Sequence, residues 1–133
     1  METIFKKGTQ IKDYFTGKAY LNMLIEPKEG IDYSVGDVLF EKGTRNYWHT
    51  HNIGQKLLCL EGVGIYQERD KKAQLLKKGD VVDIPATVEH WHGATEHSAF
   101  EHIAITDSSK GVAVKWLAEV TDQEYKQANQ EIL

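Results

Sequence analysis

One cysteine, Cys59, is all the thiol chemistry in this chain of 133 residues. No disulfide can form within it, and the composition suits a reducing compartment, with the cytoplasm as the expected location. No apolar run approaches the ~20 residues of a membrane span, and the opening Met1–Lys7 lacks the long apolar stretch of a secretory leader. Lysine and arginine form no block and the net charge is −4, so neither nucleic acid nor a membrane surface is expected as a partner. Linkers, repeats and low-complexity segments are also absent. A chain of this length suits one domain, expected to span residues 1–133. Hydrophobic residues at 41% and charged residues at 27% fit a soluble globular protein.

What is present is a series of short apolar or alternating runs broken by Gly, Asp and Pro. Strands are expected at Ala19–Ile25, Val35–Glu41, Tyr47–His51, Lys56–Glu61, Gly64–Glu68, Ala73–Leu76, Val81–Ile84, His90–His92 and Ser98–Thr106. Many short strands at this spacing argue for an all-β sandwich or barrel. The end of the chain differs. Thr121-Asp-Gln-Glu124 is a capping-box pattern, with Val120 and Tyr125 at the two staple positions, and it predicts a short helix over residues 122–131. Trp116 and Leu117, just before it, are expected to pack beneath that helix.

Histidines supply the chemistry. His49 and His51 stand two apart, with Gln55 as a further potential ligand four positions on. Alternate strand residues share a face, spaced roughly 6.5–7 Å along the chain, and two imidazoles so placed can converge on one ion. His90 follows a second frame of Gly79 and Pro85. This gathering exceeds what strand packing requires and points to a metal site. Three imidazoles and an oxygen suit Mn, Fe, Co, Ni or Zn without choosing among them. Val38, Phe40 and Leu57 hold alternating positions expected to wall an apolar pocket for a small substrate. His97 falls in a turn and is expected to be exposed, Cys59 to be a small buried hydrophobe. Trp48 and Trp91 flank ligand positions but point the other way, toward barrel packing or a subunit interface.

The two histidine motifs resemble those of the cupins. Gly43, His49, His51 and Gly62 match the first cupin motif, with Gln55 where Glu is usual. Gly79, Pro85 and His90 match the second, with Thr87 replacing Gly and Ala94 replacing Asn. The motifs occupy residues 43–62 and 79–94. Trp48–His51, Gly54-Gln55, Gly79–Val82, His90–Ala94, His102–Ile105, Tyr14–Gly17 and the Trp116–Tyr125 ending are similar to two narrower groups: the single-domain cupins that accompany carboxymuconolactone decarboxylases, and the manganese-dependent bacterial hydroxynitrile lyases. The resemblance implies an all-β fold, a single cupin antiparallel β-barrel of the jelly-roll type with a short C-terminal helix. It also implies that Gln55 is a ligand beside His49, His51 and His90, and that the metal is Mn or Fe(II).

In those relatives, histidines matching His92 and His102 act as acid and base beside substrate oxygen on the metal. His92, two beyond His90, and His102, on one face with Phe100 and Ala104, are accordingly the catalytic candidates. The structural alternative makes His92 a hydrogen-bond partner of the ligands and His102 a buried packing residue. Three functions stay open: hydroxynitrile-lyase-like cleavage of a small organic molecule or related aromatic-catabolism chemistry, an Fe(II) dioxygenase, and a non-catalytic metal- or ligand-binding cupin. A homodimer or higher homo-oligomer is expected from the family's habits, with Ile4–Ile11 or Ala19–Ile25 as the strands that could join a neighbour's sheet.

Overall fold

Alternation along the chain builds two curled antiparallel sheets, described over all residues 1–133 in a computed structural model. The elements run β1 (Thr9–Gln10), β2 (Phe15–Thr16), β3 (Ala19–Ile25), β4 (Tyr33–Phe40), β5 (Arg45–Asn46), β6 (His49–His51) and β7 (Gln55–Gly62). Then follow β8 (Gly64–Glu68), β9 (Gln74–Leu76), β10 (Val81–Ile84), β11 (His90–Ala94), β12 (Phe100–Asp107), β13 (Val114–Trp116) and α1 (Asp122–Glu131). One sheet has the order β1-β3-β4-β12-β7-β10. The other runs β13-β6-β11-β5-β2, with β8 and β9 joined through β11. Together they form the half-barrel of a jelly roll, and no helix is long and apolar enough to cross a membrane.

Inward alternation on three adjacent strands makes the main core. Val38 and Phe40 of β4, Leu57 and Cys59 of β7 and Phe100 of β12 join Tyr66, Leu76, Val82 and Ile84 in one buried cluster. A register shift between Glu101 and His102 lets β12 skip one residue of β7, pairing Glu101 with Glu61 and His102 with Cys59. Such a bulge bends a strand and re-aims its side chains. Gly93 is required where β11 meets β5, since a Cβ there would lie 2.5 Å from the Thr44 carbonyl oxygen.

A smaller cluster of Trp48, Ile65, Trp91, Val120, Tyr125 and Ala128 seats α1 on the second sheet. Trp48 and Trp91 therefore pack within the chain against the helix. The capping box forms in full, with Glu124 N–H donating to Thr121 Oγ1 at 3.1 Å and Thr121 N–H to Glu124 Oε1 at 2.9 Å. Leu117 packs on this cluster, but Trp116 does not. It belongs to β13, paired with His49, and faces the cavity described below. The expected Tyr47–His51 strand is shortened to His49–His51, because Tyr47 and Trp48 lie outside the sheet between β5 and β6. Both candidate exchange strands are used within the chain: β1 pairs with β3, and β3 with β4.

On the outer face of β4 and β12, Asp37 and Glu101 are buried side by side. Glu101 accepts the Ile4 and Phe5 backbone N–H groups at 2.7 and 3.2 Å, while Asp37 Oδ1 has no partner. Burial first, then the neighbouring Glu101, pushes the Asp37 carboxyl up to about 8.

Candidate metal centre and its cavity

Antiparallel pairing of β6 with β11 sets His49 directly opposite His90, and the two-residue period carries His51 to the same side. One nitrogen from each of His49, His51 and His90 lies within 4.8 Å of the others, and all three residues are buried. Backbone carbonyls fix the free atoms. His49 Nδ1 donates to the Tyr47 carbonyl at 2.8 Å and His90 Nδ1 to the Val88 carbonyl at 2.9 Å. Each Nε2 then keeps its lone pair, the arrangement that orients a histidine toward a metal. His90 Nε2 and both His51 nitrogens are buried without a hydrogen-bond partner. Buried polar groups are mostly satisfied, and a neutral imidazole has one lone pair. His90 Nε2 and one nitrogen of His51 therefore fit a cation that fills the space between them.

Gln55 begins β7 on the facing sheet. Its Nε2 donates to Thr106 Oγ1 at 2.9 Å, across the Thr106–Gln55 register pair, and the side chain lines the same cavity as His49 and His51. The four predicted ligand positions thus stand together, three on one sheet and one on the other. A divalent metal suits this set, and nitrogen-rich ligation leaves its identity open.

Burial disfavours the charged form of these three imidazoles. It lowers His49 well below the ordinary value, with His90 adding to the effect. His90 is brought down to about 4, mainly by burial. His51 is lowered by burial too, opposed in part by Gln55.

Beside the ligands lies a cavity of about 280 Å³, a volume near the lower end of small-molecule sites, about 300 Å³. Leu21, Val38, Phe40, Ala104, Val114 and Trp116 form much of its apolar wall. His92 and His102, both buried, also line it, with His102 Nε2 and His92 Nδ1 3.1 Å apart. Burial lowers both, His102 to about 4, and His92 is lowered further by neighbouring histidines.

Val38 and Phe40 line the cavity as expected, whereas Leu57 does not. It is fully buried among the core residues of β7 and β10, opposite Val82. The cavity instead opens along β3 and β4, on the other side of β12. Cys59 is buried in the core with its thiol pushed up to about 12, and His97 is exposed. Sequence reasoning missed Asn46, Trp116 and Thr106 as cavity residues. Thr106 was detectable, being in phase with His102 on the same strand. Thr87, which replaces the motif glycine, keeps the left-handed backbone that glycine favours, at φ 65°, and its N–H donates to the His51 carbonyl at 2.8 Å.

A family model described as "Cupin domain" matches residues 36–106, more than half the chain. The chain belongs to the cupin family. This cupin is 36% identical over 114 residues to an (R)-mandelonitrile lyase of Granulicella tundricola, covering 86% of this chain and 87% of that one. Among solved structures it is similar to a cupin-like protein of Thermotoga maritima, with a TM-score of 0.92 and 43% identity over 97% of this chain and 98% of the other. A cupin 2 conserved barrel domain protein of Rhodopseudomonas palustris shares the fold at a TM-score of 0.71, with 13% identity over 86% of this chain and 77% of that one.

Proposed function

We propose that this cupin is a metal-dependent lyase that cleaves small cyanohydrins, splitting each into a carbonyl compound and hydrogen cyanide. The observation that carries the reading is the buried His92–His102 pair beside three imidazoles with free nitrogens, lining a largely apolar cavity. A pure binding site has no use for a neutral, hydrogen-bonded histidine pair there, and the similarity to a mandelonitrile lyase supports the same chemistry.

His49, His51, Gln55 and His90 would hold the ion, Mn or Fe(II) by family resemblance. Bound there, the metal would supply positive charge for an oxygen that becomes anionic during cleavage. The chain does the rest. Phe40, Val38 and Trp116 offer apolar walls to a single aromatic or aliphatic group and exclude water from it. The His92–His102 pair, uncharged at neutral pH, accepts the substrate hydroxyl proton. The C–C bond then breaks with its electron pair leaving on cyanide, and the proton returns through the pair to give hydrogen cyanide.

The test is turnover of racemic mandelonitrile by the Mn- or Fe-loaded chain, with His102→Ala beside it. Expected are benzaldehyde release by the wild type and a loss of about 100-fold or more in the variant, with metal content unchanged. Equal rates in the two proteins would overturn the role of His102. Oxygen uptake with aromatic diols by the Fe form, without cyanohydrin cleavage, would replace the lyase reading with a dioxygenase.

A further inference from the structure

Three hydrogen bonds link Asn46, His92 and His102, and the direction of the first fixes that of the other two. The His92 backbone N–H donates to Asn46 Oδ1 at 2.9 Å. A backbone amide can only donate, so this contact settles which end of the buried carboxamide is oxygen. Asn46 Nδ2 consequently faces His92 Nε2, at 3.3 Å. An amide nitrogen donates and does not accept, and a neutral imidazole has one donor and one acceptor nitrogen. His92 Nε2 is therefore the bare nitrogen and Nδ1 carries the proton. That Nδ1 meets His102 Nε2 at 3.1 Å, which must then accept.

We propose that Asn46 is a positioning residue that sets the tautomers of both cavity histidines, making His102 Nε2 the acceptor of the hydrogen bond that joins them. The reverse arrangement would point an N–H of His92 at the amide N–H of Asn46. Turning the carboxamide over would only move the clash to the His92 backbone N–H. At the far end, His102 Nδ1 has no hydrogen-bond partner, so nothing there opposes the direction set at Asn46.

Local structure holds Asn46 for this task. It ends the two-residue strand β5, is 2% exposed, and pairs with Phe15 of β2. Its side chain makes no hydrogen bond to His49, His51, Gln55 or His90, so its role is separate from ligation. The tautomer assignment stands on hydrogen-bond geometry. Only its catalytic consequence rests on the lyase reading.

The experiment uses the full chain with ¹⁵N-labelled histidine, metal-free and zinc-loaded, and long-range ¹H–¹⁵N correlation to locate each ring proton. The wild type is expected to show His92 protonated at Nδ1 and bare at Nε2. Asn46→Asp keeps an oxygen for the backbone N–H and turns the donor into an acceptor, so His92 Nε2 should become protonated. A protonated Nε2 in the wild type, or a bare one in Asn46→Asp, would overturn the proposal. If the variant does not fold, the wild-type spectrum decides alone. Metal content should be equal in both proteins, while cyanohydrin turnover should fall about 10–100-fold in kcat in the variant. Spectra as expected with no turnover by the wild type would leave the assignment standing and sink the lyase reading.

Discussion

Gln55 and Thr106 face each other across β7 and β12, and the Gln55 amide nitrogen donates to the Thr106 hydroxyl at 2.9 Å. That bond occupies the nitrogen end of the carboxamide and leaves the oxygen end free to face an ion. Thr106→Val keeps the shape and removes the acceptor. Metal affinity is expected to fall about 10–100-fold, as for other groups that orient a ligand. Competition with a chelator measures this, and an unchanged affinity would mean that Thr106 does not orient Gln55.

Metal uptake should release almost no protons from the ligands. At pH 6.5 three ordinary histidines would be about half protonated and would together lose about 1.5 protons on binding. Here burial lowers His49, His51 and His90, the last to about 4, so the folded metal-free site is already deprotonated. Calorimetric titration with zinc at pH 6.5, in buffers of different ionisation heat, should return a proton count near zero. A count near 1.5 would refute the preformed neutral site.

Asp37 carries an opposite dependence. Its carboxyl is raised from 3.8 to about 8, so the folded chain binds more protons here than the unfolded chain between those values. Stability contributed by this group is full below its unfolded value and is lost as pH rises through the window. Asp37→Asn removes the titration. The variant should gain on the wild type from pH 4 to pH 8 and hold that advantage above it, read from urea unfolding at several pH values. A pH-independent difference would show that Asp37 is not raised.

Leu57 and the metal site should be separable. Leu57→Ala empties part of the core and is expected to cost about 2–5 kcal/mol in unfolding free energy. Metal stoichiometry at 20 °C should not change, whereas His90→Ala should lose the ion. A Leu57→Ala protein that folds as stably as the wild type would return this residue to the cavity wall.

Much of this site was legible because its parts obey short-range rules. The two-residue period puts His49 and His51 on one face, and Phe100, His102 and Ala104 on another. The capping box needs only Thr121 and Glu124. What escaped depends on distant pairing. β13 has little alternation of its own and forms because His51, Thr50 and His49 offer it a sheet edge, which carries Trp116 into the cavity instead of under α1. Asn46 sits in a strand of two residues, too short for any periodicity to reveal. Alternation placed Leu57 on the inner face correctly, but it could not say which part of that face is hollow.

The candidate ligands come from both halves of the fold, His49, His51 and His90 from one sheet and Gln55 from the other. A shared ion would thus act as a clasp on the open side of a book whose spine is the apolar core. Unfastening it should be felt unevenly: amide exchange should quicken at residues 49–55 and 114–116, along the fore-edge. The binding at Trp48, Trp91 and Tyr125 should hold. The chain's tolerance of metal loss would then be a matter of how far the covers swing, and not of whether the pages stay in order.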